Sequence, residues 1–174
     1  MRILLLSTTH SGLSQRTYSE LVERGHTVCV QPATTEAAIE AAAAYFQPQL
    51  IIAPFLKKGL PTPLLQKYTV LTIRATAGTD RGPVNYNGVL TENLQNWRIT
   101  VYQGSLAKEV SSNSTPQNFM VPLKAKSNFY QHHLTRAVVQ DILDTVEKIQ
   151  KKALLANTLQ RTGTKVIGRL HSIV

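Results

Sequence analysis

The chain has 174 residues, 43% of them hydrophobic and 17% charged, which suits one domain and excludes bulk disorder. Its apolar runs, residues 3–6 and 50–55 among them, fall well short of the roughly 20 residues of a membrane span. One cysteine, Cys29, excludes an internal disulfide framework and a cysteine metal cluster, and fits a cytoplasmic protein.

The formal net charge is +9, but residues 145–174 carry six cations against Glu147 alone, so +5 of it sits in the last 30 residues. A basic balance suits an anionic partner. Aromatic residues are only 6% and do not interleave with those cations, which disfavours a stacking nucleic-acid surface.

In chain order, residues 3–6 (ILLL) predict a buried first strand, too short and too soon followed by Ser7-Thr8-Thr9-His10 to be a signal peptide. Leu13, Tyr18, Leu21 and Val22 predict a helix over 13–24, stopped by Gly25. Residues 27–30 predict a second strand. An alanine-rich helix follows over 34–46, with Thr34 or Thr35 as N-cap, Glu36 in its first turn and Pro48 beyond its end. Residues 50–53 predict a third strand closed by Pro54, 61–66 a short helical turn, and 68–73 a fourth strand. The alternation predicts an α/β, Rossmann-like, doubly wound and mostly parallel sheet. Such sheets bind ligands beyond the C-terminal ends of their strands. The loops of interest are therefore 7–12, 54–59 and 74–83.

Further on, residues 85–93 predict a helix, 98–103 a strand, 111–116 a loop and 118–123 a partner strand. A long helix is expected from Asn128 to about Leu155, with Leu134, Val138, Ile142, Val146 and Ile149 on one stripe. The expected division is a domain over 1–150 and a basic linker or tail over 151–174.

Several constellations bear on chemistry. The loop after the first strand is hydroxyl-rich but lacks the G-x-G-x-x-G pattern, which weakens dinucleotide binding. It suits either an anion at a helix N-terminus or simple capping, and His10 is its lone histidine. Cys29, within a strand pattern, reads as an inert thiol. His132 and His133 are adjacent on a helix and point about 100° apart, so no metal site is expected. Asp80-Arg81-Gly82-Pro83 follows the fourth strand and reads equally as a ligand loop or as an ordinary turn.

Five stretches carry a resemblance: Met1-Arg2-Ile3-Leu4-Leu5-Leu6, Gln15-Arg16, Glu23-Arg24-Gly25-His26, residues 48–58 (PQLIIAPFLKK) and Asp80-Arg81-Gly82-Pro83. In these the chain resembles the N-terminal formyltransferase-like domain of the HoxX/HypX hydrogenase maturation factors. Gly168-Arg169-Leu170 is similar to the linker that leads to that family's second domain. The resemblance implies a formyltransferase-type fold and transfer of a formyl group from 10-formyltetrahydrofolate, as substrate, to coenzyme A, without a metal. In the family a hydratase-like second domain then releases carbon monoxide for a nickel–iron hydrogenase. A chain of this length is not expected to complete that sequence alone. Its expected partners are the folate, coenzyme A, and a hydratase-like domain or hydrogenase maturation proteins.

The same resemblance assigns a candidate site. The superfamily uses an Asn-x-His pair at the end of the fourth strand and an Asp after the next one. Aligned from residues 80–83, the Asn position is Thr72, the His position is Arg74, and the Asp position falls near Glu109, with Ser111 where a glycine is usual. HoxX-like domains already depart at the Asn position but keep the His. Arginine has five donors, no acceptor and a permanent charge, so Arg74 can hold an oxyanion, carboxylate or phosphate but cannot serve as a general base. Pro54, Phe55, Leu56 and Lys57 match the segment that lines the folate pocket, with Phe55 and Leu56 as an apolar wall for a pterin ring. Lys57 or Lys58 would draw the glutamate tail or coenzyme A phosphates. Asp80, Arg81 and Gly82 complete the binding set. Three readings stay open: a formyltransferase with an altered catalytic set, an inactive relative that binds folate, coenzyme A or a protein, and a polyanion binder acting through the basic tail.

Overall fold

The computed structural model describes residues 1–7, 12–56, 59–75, 96–103, 106–114 and 135–156. Strand β1 (Arg2–Ser7) sets the architecture. Along it, Ile3 and Leu5 turn to one face of the sheet and Leu4 and Leu6 to the other, and all four are fully buried. A strand apolar on both sides needs a layer of helices on each face.

β1 is flanked by β2 (Thr27–Pro32) and β3 (Leu50–Pro54), both parallel to it, and β4 (Thr69–Ala75) lies parallel beyond β3. Two antiparallel strands, β5 (Asn96–Gln103) and β6 (Leu106–Ser114), extend that side. The six-stranded order is β2-β1-β3-β4-β5-β6. The mostly parallel, Rossmann-like reading therefore holds.

Helix α1 (Gly12–Glu23) covers one face with Leu13 and Leu21. α4 (residues 135–156) joins it there through Val138, Val139, Ile142, Leu143 and Val146. α2 (Glu36–Phe46) covers the opposite face with Ile39 and Ala43, and α3 (Thr62–Lys67) adds Leu64. Each large side chain buried in these layers contributes about 1.5–3 kcal/mol.

The helix ends follow their sequence signals. Thr35 Oγ1 accepts from the Ala38 N–H at 3.2 Å, an N-cap beside Glu36. After α1, Gly25 adopts φ 78°, which lets its N–H reach the Val22 carbonyl and the His26 N–H reach that of Leu21. This double closure satisfies two of the last carbonyls of α1. Gln47 ends α2 in the same left-handed region, with buried Pro48 next to it.

The structure departs from expectation at the sheet's far edge. Residues 111–114, expected in a loop, are the second half of β6, which pairs with β5. The boundary at 150/151 falls inside α4, which continues to residue 156. The helix over 85–93, the strand over 118–123, the start of the long helix at 128–134 and the tail from 157 onward lie outside the described residues. Among the described residues no helix is long and apolar enough to cross a membrane.

Candidate functional site

The C-terminal ends of β3 and β4 bring the sequence-assigned positions together. Their register sets Ala53 beside Thr72 and Pro54 beside Ile73. Strand alternation sends Ile73 to the α1/α4 face and leaves Thr72 and Arg74 on the α2/α3 face. A shallow, open cleft of about 20 Å³ lies there, lined by Ala53, Leu56, Gly59, Leu60, Thr72, Ile73 and Arg74.

Thr72 is buried, and its hydroxyl donates to the Thr100 carbonyl at 3.4 Å. That is a long contact for an O–H donor, so the hydroxyl is weakly held. Arg74 is exposed at the cleft's mouth. Across the sheet, Thr72 pairs with Thr100, and Thr100 pairs with Glu109. The three positions form one rung, with the Glu109 backbone two interstrand spacings, roughly 10 Å, from that of Thr72. The pairing slips at this point: Ile99 faces Ser111 while Thr100 faces Glu109, which leaves Val110 as an extra residue. Such bulges re-aim side chains and often flank active sites. Thr100, which sequence reasoning did not single out, enters the site through this register.

The loop after β3 differs from its expected role. Pro54 is buried in the sheet. Phe55 is 2% exposed and belongs to the α1/α4 core, so its ring is not a wall of the cleft. Leu56, half-buried, lines the cleft instead, with Gly59 and Leu60. Of the two apolar residues expected at the pocket, Leu56 lines the cleft and Phe55 does not. Lys57, Lys58, Asp80, Arg81, Gly82 and His10, with His132 and His133, lie outside the described residues.

Two other sequence features resolve as structure. At the end of β1, Ser7 Oγ and Ser14 Oγ lie 2.8 Å apart and buried, so this pair ties the first strand to α1. Cys29 is half-buried on edge strand β2 and packs against the α2/α3 core. Among the described residues no group of three or more His, Cys, Asp or Glu could hold a metal ion. The assembled set is a hydroxyl, a guanidinium and, two strands away, a carboxylate position. It offers a hydrogen-bonding hydroxyl and positive charge next to an apolar rim.

A mostly parallel sheet extended by an antiparallel strand pair, with an open cleft at the parallel strand ends, places the chain among Rossmann-like folds of the formyltransferase type. A sugar N-formyltransferase from Shewanella shares this fold, with a TM-score of 0.51 at 11% identity over 83% of this chain and 69% of that one. No family model matches the chain. The hydrogenase maturation factor HoxX of Bradyrhizobium diazoefficiens is 33% identical over 150 residues, 86% of this chain and 26% of that protein. HypX from Aquifex aeolicus, crystallised in complex with tetrahydrofolic acid, is similar with a TM-score of 0.67 and 32% identity, over 87% of this chain and 27% of that one. Sequence and structure together support a HoxX/HypX formyltransferase-like domain. The chain spans about a quarter of the length of these relatives.

Proposed function

We propose that this chain binds 10-formyltetrahydrofolate in the cleft at the ends of β3 and β4, as the formyltransferase-like part of a HoxX/HypX-type hydrogenase maturation system. The observation that carries this reading is the grouping of Thr72 and Arg74 beside the apolar rim of Leu56 and Leu60, with the Glu109 backbone on the same rung of the sheet as Thr72. The tetrahydrofolate complex of HypX supports the ligand class.

Transfer to the coenzyme A thiol forms a C–S bond, breaks the bond between the formyl carbon and N10, and moves the thiol proton onto the folate nitrogen. The developing oxyanion needs donors aimed at it. Arg74 supplies these, and the loosely held Thr72 hydroxyl adds one more. The proton needs an acceptor, which Arg74 cannot be. Glu109 is the carboxylate on the rung, and at roughly 10 Å between backbones it would act through substrate or a bridging water. General acid–base help commonly contributes 10²–10⁴-fold, or about 3–5 kcal/mol of barrier. The chain is therefore a folate binder with slow transfer. Arg74 at the acid–base position favours a second reading, a binding domain that performs no transfer.

Single-turnover loss of 10-formyltetrahydrofolate under excess protein, with and without coenzyme A, tests the proposal. The Arg74→His variant should accelerate coenzyme A-dependent loss by about 10²-fold or more. Loss in neither protein, with no folate binding in either, contradicts the assignment.

A further inference from the structure

We infer that Phe55 is a positioning residue whose strained backbone and buried ring hold the rim of the cleft in place; the inference rests on the folate reading above. Two non-glycine residues among those described have positive φ: Gln47 at 49° and Phe55 at 50°. Gln47 closes α2, where this conformation is the usual helix ending. Phe55 follows a strand, and no helix ends there. For a bulky aromatic residue the left-handed region is an outlier that persists only where its surroundings over-determine it.

Three contacts impose it. The ring is 2% exposed and packed in the α1/α4 core. The Phe55 N–H donates to the Ile73 carbonyl at 2.9 Å, one residue beyond the regular β3–β4 ladder. On the opposite face, Leu56 packs against the α2/α3 core and lines the cleft. The chain is thus pinned on both faces of the sheet within two residues. Leu56, Gly59 and Leu60, which follow Phe55, line the cleft together with Thr72 and Arg74. Phe55 acts on the ligand through Leu56, Gly59 and Leu60, without touching it.

The experiment compares Phe55→Gly, Phe55→Leu and Leu21→Ala with the parent protein. Gly removes both strain and anchor. Leu keeps an apolar anchor. Leu21→Ala damages the same core at the far end of α1. Tetrahydrofolate affinity is measured by titration well below each melting point, and amide exchange at Leu56, Gly59 and Leu60 is read in the free protein. Phe55→Gly should weaken binding about tenfold or more and speed exchange at those amides, since small misplacements carry large binding losses. Phe55→Leu should stay within about threefold, and Leu21→Ala within about twofold despite a lower melting point. Parent-like affinity and exchange in Phe55→Gly would overturn the inference, as would an equal affinity loss in Leu21→Ala. A parent protein that binds no tetrahydrofolate overturns the folate reading instead, and the exchange data then decide whether Phe55 holds the rim.

Discussion

Arg74 and Thr72 show how far single residues can be read from sequence. A β-branched run after the third strand marks the fourth, and the two-residue period then puts both side chains on one face. Phe55 shows the opposite case. Its apolar character fits a pocket wall and a core anchor equally well, and only the ring's burial in the α1/α4 core separates them. His26 is another residue whose role needs the fold. It is buried, and its Nδ1 lies 3.2 Å from the Met1 amine. Burial first, then the charges of the N-terminal amine and Arg24, push its pKa below the ordinary 6.5. The folded state therefore binds fewer protons at His26 than the unfolded state does. The stability this contributes is present above about pH 6.5 and is lost as pH falls through the lowered value. Urea midpoints measured between about pH 5 and pH 7.5 should fall on acidification, and His26→Gln should flatten that slope. An unchanged slope in the variant would show that other groups set it.

At the scale of elements, the parallel half of the sheet was legible because its strands are short apolar or β-branched runs, with Gly25 before β2 and Pro48 and Pro54 around β3. Gly25 is the clearest of those signals. A Cβ added there meets nothing within 4 Å, so a substitution is opposed by its φ of 78° alone. Gly25→Ala should destabilise the fold by about 1 kcal/mol, seen as a lower urea midpoint with an unchanged slope. A neutral or stabilising result would mean that the α1–β2 turn has another conformation. β6 was not legible. Its second half, Ser111-Ser112-Asn113-Ser114, has turn-like composition with little strand preference. It is a strand because β5 offers a full ladder on one side, and an edge strand has no second neighbour to satisfy. Missing β6 also hid the Thr72–Thr100–Glu109 rung, which depends on cross-strand register and a bulge that sequence periodicity does not encode.

For the molecule as a whole, the fold separates its ends. The candidate cleft lies at the C-terminal ends of β3 and β4. A second polar cleft, lined by Arg24, His26, Gln140, Asp144 and Glu147, lies between the far end of α1 and α4. The basic stretch of the sequence begins on α4, where Lys148, Lys151 and Lys152 are exposed and Lys151 pairs with Glu147 at 2.6 Å. Exposed pairs of this kind contribute little to stability. The positive charge is therefore not what holds the fold together, and the ligand claim rests on the cleft. Backbone amide shifts followed by NMR as tetrahydrofolate is added test that claim most directly. The account predicts shifts concentrated at Leu56, Gly59, Leu60, Thr72 and Arg74. No shifts, or shifts confined to the Arg24–His26–Asp144 end, would contradict it.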